Sequence, residues 1–326
     1  MTEPVRWGLL STAKIARAIL GGARETAAAE VVAVASRERG TADAFAAEHG
    51  IPRAHGSYEA LLEDPDVEAV YVPLPNSMHL PWAVRALEAG KHVLCEKPLS
   101  RRAAEVEDAF AAAARADRLL MEGFMWRYHP QTERVVALVR EGAVGRLRVI
   151  RAAFGFTLPE RAENVRWRPD LEGGALMDVG CYCVSALRLL AGEPERVAAE
   201  RVDAPAGVDV RLAAVLRFAD GVVGTLDCAF DVPYRAGLEV VGDEGTIVSL
   251  DPWHGAAPQV RVLRPDREPE EVPVEAADPY GRELEDFSGA VRNGRGPRLG
   301  RDDAVGQARV IEALYRAAGE GRAVAV

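Results

Sequence analysis

Short apolar runs alternate with helical stretches from Val5 to Met121, and no other feature of the chain restricts its fold as tightly. The runs are Val5–Leu10, Val31–Ala35, Val67–Val72, Val93–Cys95 and Leu119–Met121. Between them Lys14–Gly22, Thr41–His49, Ser77–Ala89 and the alanine-rich Arg101–Asp117 carry helical patterns, the first ending in glycines and the third stopping at Gly90. A strand that is apolar on both faces needs cover on both. An intervening helix supplies that cover and returns the chain for a parallel neighbour. The alternation predicts an α/β fold: a doubly wound parallel sheet of the Rossmann type, with its ligand crevice at the carboxyl ends of the strands.

Beyond residue 122 the pattern changes. Pro130–Arg140 reads as a helix, Leu147–Phe156 as a long strand, and Ala175–Leu190 as an amphipathic helix after Gly173-Gly174. Val210–Phe218, Val222–Phe230, Leu238–Val241, Thr246–Leu250 and Gln259–Leu263 follow as strands, parted by turns such as Ala219-Asp220-Gly221 and Gly242-Asp243-Glu244-Gly245. Glu283–Val291 and Asp303–Ala318 close the chain as helices. This succession predicts a C-terminal α+β domain with a mostly antiparallel sheet and helices on one face. The expected division is residues 1–122 and 123–326.

At 326 residues the chain is long enough for two cores. Its net charge is −10 with both signs interspersed, so it lacks the basic patch that nucleic acid demands. An anionic cofactor would have to be met by local positive groups. The amino-terminal Met1-Thr2-Glu3-Pro4-Val5-Arg6 enters a strand at once, which predicts no signal peptide. No apolar stretch reads as long enough to span a membrane. The four cysteines, Cys95, Cys181, Cys183 and Cys228, show no Cys-x-x-Cys spacing, and the six histidines form no His-x-x-x-His pair. The expectation is a cytoplasmic protein without a metal site.

The first strand-to-helix turn contains Ser11, Thr12, Ala13, Lys14 and Ile15. A strict Gly-x-Gly-x-x-Gly is absent, but small residues stand where the backbone must approach a pyrophosphate, and the helix amino terminus would face the phosphates. The second strand ends in Ser36-Arg37-Glu38-Arg39. An acid at that strand end binds the free ribose 2′-hydroxyl of NAD; a hydroxyl and an arginine suit the 2′-phosphate of NADP. NADP(H) is therefore the expected cofactor, and the nearby Glu38 leaves NAD(H) open. Pro73-Leu74-Pro75-Asn76 forms a stiff loop at the end of the third run, with Asn76 placed to cap the next helix. His79 is either structural or part of the dinucleotide pocket.

Glu96-Lys97-Pro98 ends the fourth run. An ammonium group there lies at the ligand edge of a parallel sheet, and Glu96 can orient it. A second segment, Glu172-Gly173-Gly174-Ala175-Leu176-Met177-Asp178-Val179-Gly180-Cys181-Tyr182, places Asp178 and Tyr182 four residues apart, on one helical face. Lysine, tyrosine and acid together make a proton-transfer set. Tyr182 exchanges a proton with a substrate oxygen, and Lys97 depresses its pKa and binds the same oxygen. Asp178 either keeps the lysine charged or binds a second hydroxyl. The plain alternatives are a solvated lysine and a core tyrosine.

These residues carry a family resemblance. The opening Val5–Ala16, the run Ala89-Gly90-Lys91-His92-Val93-Leu94-Cys95-Glu96-Lys97-Pro98 and the Gly-Gly-Ala-Leu-Met-Asp-Val-Gly segment resemble the glucose–fructose oxidoreductase / inositol dehydrogenase (Gfo/Idh/MocA) family over nearly the whole chain. The resemblance implies an NAD(P)-binding Rossmann domain and a second domain that binds substrate. The open-faced sheet of that second domain commonly mediates dimers or tetramers. It also implies that Lys97 is the catalytic lysine. Two departures stand out: Ser11 and Ala13 replace glycines of the phosphate loop, and Tyr182 stands where many members have histidine. Tyr182, with Met121-Glu122-Gly123-Phe124-Met125-Trp126-Arg127-Tyr128-His129-Pro130, is similar to the branch holding NADP-dependent xylose dehydrogenase, dimeric dihydrodiol dehydrogenase and sugar 3-ketoreductases. By that likeness Arg127 and His129 contact substrate or cofactor, and Trp126 and Phe124 form wall. Trp167, Arg168 and Tyr280 add to the pocket. The implied activity is hydride transfer between NADP(H) and a sugar or cyclic polyol, foremost oxidation of an aldose such as D-xylose. Keto-sugar reduction, trans-dihydrodiol oxidation and a non-catalytic NADP-binding regulator are the rivals.

Overall fold

In a computed structural model of the chain, residues 3–161, 163–254 and 258–326 are described; the first two residues of the amino-terminal reading lie outside them. The chain opens with β1 (Val5–Leu9), α1 (Ala16–Glu25), β2 (Ala29–Ala35), α2 (Arg39–His49), β3 (Arg53–His55), α3 (Tyr58–Leu62), β4 (Ala69–Val72), α4 (His79–Glu88), β5 (His92–Glu96), α5 (Ala103–Ala116) and β6 (Leu120–Gly123). Every pairing in their sheet is parallel, and the order is β3-β2-β1-β4-β5-β6. This is the doubly wound arrangement, with its reversal of direction between β1 and β4. β4 is buried throughout and β5 at its three central residues, as the unbroken apolar runs require. The ends of elements follow local chemistry. Ser57 caps α3 by accepting from the Ala60 amide at 3.1 Å, and Gly50, at φ +70°, closes α2.

The later chain forms α6 (Pro130–Arg140), β7 (Leu147–Gly155), α7 (Cys181–Ala191), β8 (Arg196–Asp203), β9 (Asp209–Arg217), β10 (Val223–Ala229), β11 (Arg235–Gly242), β12 (Thr246–Leu250), β13 (Gln259–Leu263), β14 (Glu270–Val272), α8 (Pro279–Asn293), α9 (Arg301–Glu320) and β15 (Val324–Ala325). The second sheet runs β14-β13-β12-β11-β7-β10-β9-β8-β15, antiparallel except between β7 and β10. Strict alternation of buried and exposed residues along β9 marks a sheet with one covered face. α7 packs against β7 and β10. It is preceded by a π-helical turn, Leu176–Gly180, where an ordinary α-helical start is expected. By length and composition alone Pro169–Ala191 would suffice to cross a membrane, contrary to the sequence expectation. Here 78% of its most apolar window is buried inside the protein, as befits a core helix.

The compact units are not two consecutive halves of the chain. Residues 1–100, 104–125 and 278–305 form one; 101–103, 126–277 and 306–326 form the other. α8 belongs with the first sheet because its side chains have partners there. Trp7 of β1 donates to Ser288 at 3.2 Å and lies 5.5 Å from the Phe287 ring. Arg292 grips both oxygens of Glu68 at 2.8 Å, which pulls that carboxyl down to about 2.

Candidate active site

The carboxyl ends of β1, β2 and β4 build the dinucleotide side of the first unit. Leaving β1, the chain turns at Ser11, whose hydroxyl accepts from the Ala13 amide at 2.9 Å. α1 then starts with no side-chain cap; the Ala16, Arg17 and Ala18 amides donate to the Ala13, Lys14 and Ile15 carbonyls, and the positive end of the helix faces this turn. Lys14 is exposed and Ser11, Thr12, Ala13 and Ile15 are half-buried. At the end of β2, Ser36 is half-buried and Arg37 exposed. Burial pushes the Tyr58 phenol up, while the Arg37 charge and the Ser11 hydroxyl pull it the other way. That places all three beside one another. Tyr58 escaped the sequence reading; its position just after Ser57, at the start of α3, is the signal that brings it to this edge.

Pro73 and Leu74 follow β4 as buried residues. Asn76 opens a short 3-10 turn, Asn76–Met78, directly ahead of α4. His79 is 1% exposed, and its ring is spent on the backbone: Nδ1 lies 2.8 Å from the Pro98 carbonyl and Nε2 2.7 Å from that of Leu74. Burial, aided by the Lys97 charge and against the two carbonyls, lowers its pKa to about 4. His79 is thus a strut between two loops.

That strut is one of three pins around Lys97. Tyr71, fully buried on β4, donates to Glu96 on the residue's amino side. Two residues on, the Leu99 amide donates to the buried Glu122 at 2.9 Å. The Lys97 backbone is thus held from both directions at the end of β5, with its side chain half-buried. Glu96 serves as anchor to Tyr71. On α8, Tyr280 sits in the first turn, its amide received by Asp278 at 2.8 Å.

In the second unit Tyr182 lies on the first turn of α7, 7% exposed, inside an aromatic cluster. The Phe154 ring meets it at 5.6 Å and Trp253 at 5.9 Å, and Trp253 in turn meets Trp126 edge-on at 5.4 Å. Trp126 is 1% exposed, as expected of wall. Phe154 and Trp253 were not foreseen: strand alternation marks Phe154 as buried, but nothing local ties either to Tyr182. Arg127 donates to Ser185 at 3.3 Å and lies over the Trp126 ring. His129 is 2% exposed, and its Nδ1 accepts from the Gln131 amide at 3.0 Å, capping α6 ahead of Pro130.

Trp167 is a buried side chain donating to the Pro159 carbonyl at 3.0 Å, and Arg168 is held by Asp170 at 2.6 and 2.8 Å. Just before them, the Arg166 Nε donates to the Asp178 carboxylate at 2.6 Å.

A Rossmann sheet with a pinned lysine at a strand end, and a second domain bearing an enclosed tyrosine and a guanidinium-held aspartate, define a dinucleotide-dependent oxidoreductase. An oxidoreductase family with an NAD-binding Rossmann fold matches residues 5–124, and the GFO/IDH/MocA C-terminal domain matches residues 132–248. The chain belongs to the Gfo/Idh/MocA family. It is 40% identical to a D-xylose 1-dehydrogenase (NADP(+)) of Haloferax volcanii over 98% of each chain. Among solved structures, the aldose-aldose oxidoreductase of Caulobacter crescentus superimposes with a TM-score of 0.92 at 30% identity, over 99% of this chain and 100% of that one. A 3-ketoreductase of Actinomadura kijaniata, in complex with NADP and TDP-benzene, gives 0.91 at 34% identity, over 96% and 98%.

Proposed function

We propose that the protein is an NADP(H)-dependent sugar oxidoreductase that oxidises an aldose, D-xylose foremost, at its anomeric carbon. The observation that carries the reading is the triple pinning around Lys97, which fixes the backbone from which Lys97 extends at the carboxyl end of β5. The first unit suits the cofactor: a helix start without a side-chain cap faces the phosphate turn, and Arg37 is exposed at the end of β2, where a guanidinium suits a 2′-phosphate. Bound NADP⁺ supplies the hydride acceptor.

Tyr182, as phenolate, removes the proton of the anomeric hydroxyl while the hydride leaves the same carbon, and the sugar ends as its lactone. Lys97 donates to that oxygen and favours the phenolate. Asp178, aimed by the Arg166 guanidinium, accepts from a second sugar hydroxyl. The aromatic ring around Tyr182 excludes water. Run backwards, the same set reduces a keto-sugar. The test is a screen at the nicotinamide absorbance of pentoses, hexoses, keto-sugars and trans-dihydrodiols with both cofactors, repeated with Lys97→Ala and Tyr182→Phe. Turnover of an aldose with NADP⁺ that both variants abolish is expected; near-normal turnover in either variant defeats the mechanism.

We further infer a cytoplasmic homo-oligomer joined through the outer face of the second sheet. Cys95, Cys181, Cys183 and Cys228 are buried free thiols, which suits a reducing compartment. The outer sheet face exposes Val202, Val215 and Leu250 beside a trough of about 310 Å³. Its charges are already matched, Arg151 with Glu239 and Arg235 with Asp227, as a self-complementary contact needs.

A further inference from the structure

Asp209 opens β9, far along the chain from the Gly173-Gly174 segment, yet it is built into it. It is 3% exposed, and both of its oxygens are used. Oδ2 accepts from the Leu176 amide at 2.7 Å; Oδ1 accepts from the Tyr315 hydroxyl of α9 at 2.8 Å. Leu176 is the first residue of the π-helical turn, which has no side-chain cap of its own. Asp209 therefore caps that turn from outside.

The double glycine is the counterpart of this carboxylate. Gly174 has φ +121°, and a Cβ there would overlap Asp209 Oδ1. A Cβ on Gly173 would overlap the Arg166 carbonyl, which instead receives the Gly174 amide at 3.0 Å. The segment is clasped between Asp209 on one side and the loop of Arg166, the partner of Asp178, on the other. π turns are rare and persist where surroundings impose them, often at functional sites. This one carries Asp178 and delivers the chain to Tyr182, the first-turn residue of α7.

We propose that Asp209, seconded by Tyr315, is a positioning residue for the proton-transfer pair: it holds the π turn so that Asp178 and Tyr182 are presented together. The inference rests on the reading of those two residues as the ones that meet substrate. The role needs an acceptor toward Leu176 and a hydrogen-bonding partner toward Tyr315, not a charge. Asparagine supplies both, its carbonyl accepting from Leu176 and its amide donating to the tyrosine oxygen. Burial indeed lifts the Asp209 carboxyl to about 6, against the Leu176 amide, Tyr315 and the Arg201 charge. The Cys228 thiol, itself pushed well up by burial, faces the same group from β10.

The experiment compares kcat, both KM values and NADP affinity in Asp209→Ala, Asp209→Asn, Tyr315→Phe and Tyr182→Phe. Asp209→Ala is expected to lower kcat about tenfold or more with NADP affinity unchanged, Asp209→Asn to stay within about twofold of wild type, and Tyr315→Phe to fall between. Wild-type kcat in a folded Asp209→Ala, or an asparagine variant as impaired as the alanine one, overturns the proposal. If Asp209→Ala does not fold, Tyr315→Phe decides: unchanged kcat overturns it, and a reduced kcat with intact NADP affinity upholds it. An inactive Tyr182→Phe alongside fully active Asp209 and Tyr315 variants sinks this inference alone. An active Tyr182→Phe sinks the parent reading.

Discussion

The Arg166 guanidinium meets the Asp178 carboxylate at 2.6 Å, although the two belong to different turns. Asn164 starts the turn Val165–Trp167 by accepting from the Arg166 amide at 3.1 Å, and this sets the arginine's direction. Arg166→Ala should leave Asp178 present but misdirected. Its kcat/KM for the sugar is expected to fall about tenfold while the KM for NADP stays put. Asp178→Asn should fall as far, and the double variant little further, because the two act as one unit. Additive losses in a double-mutant cycle would show that the two act independently.

Arg37 governs cofactor choice on the present reading. Its charge reaches Tyr58, so a 2′-phosphate at this strand end would sit between a guanidinium, the Ser36 hydroxyl and the Tyr58 edge. Arg37→Ala is expected to weaken NADP⁺ by roughly 10–100-fold and NAD⁺ by less than about threefold. Fluorescence titration of the reduced cofactors measures both. Equal losses would remove Arg37 from the site.

The first sheet was largely legible because each of its inner strands is an apolar run with a helix on either side. β3 was not: Arg53-Ala54-His55 is half-exposed at a sheet edge, where nothing demands apolar residues. β8, Arg196–Asp203, hides in the same way, with only Val197 and Ala199 fully buried along it. α8 read correctly as a helix, but its place beside β1 depends on Trp7 and Glu68, more than two hundred residues earlier. At the site, Lys97 was legible from its strand end. For His79 and His129 a sequence shows the imidazole but not the backbone carbonyls and amide that its nitrogens meet. Arg166 and Arg168 flank one tryptophan, and only the Asn164 cap distinguishes them. Asp209 had no local spacing at all to announce it.

The sheet-face proposal has a direct consequence. Val215, 50% exposed on β9, would lie inside the contact between copies. Val215→Arg sets like charges against each other across a two-fold axis and should shift the protein from dimer or tetramer to monomer in light scattering. The buried cores are untouched, so the melting curve of the monomer should remain cooperative. An unchanged oligomer, or a wild-type monomer, would rule out this face.

Glu283 makes a prediction about pH. It is 2% exposed on α8; burial first, then the charges of Glu96 and Asp286, push its carboxyl well above the ordinary 4.5. The folded protein therefore keeps this group protonated while the unfolded chain ionises it. Its contribution to stability is complete below about pH 4.5 and drains away as pH rises toward the folded value, by up to roughly 1.4 kcal/mol per pH unit. Glu283→Gln cannot ionise and keeps a similar shape. It should match wild type in urea melts at pH 4 and exceed it progressively as pH rises above 4.5, since only the wild type must hold a proton against solvent. Parallel stability curves for the two proteins across that range would mean that Glu283 is ionised in the fold, and that the Glu96 anchor beside Lys97 bears a second buried charge.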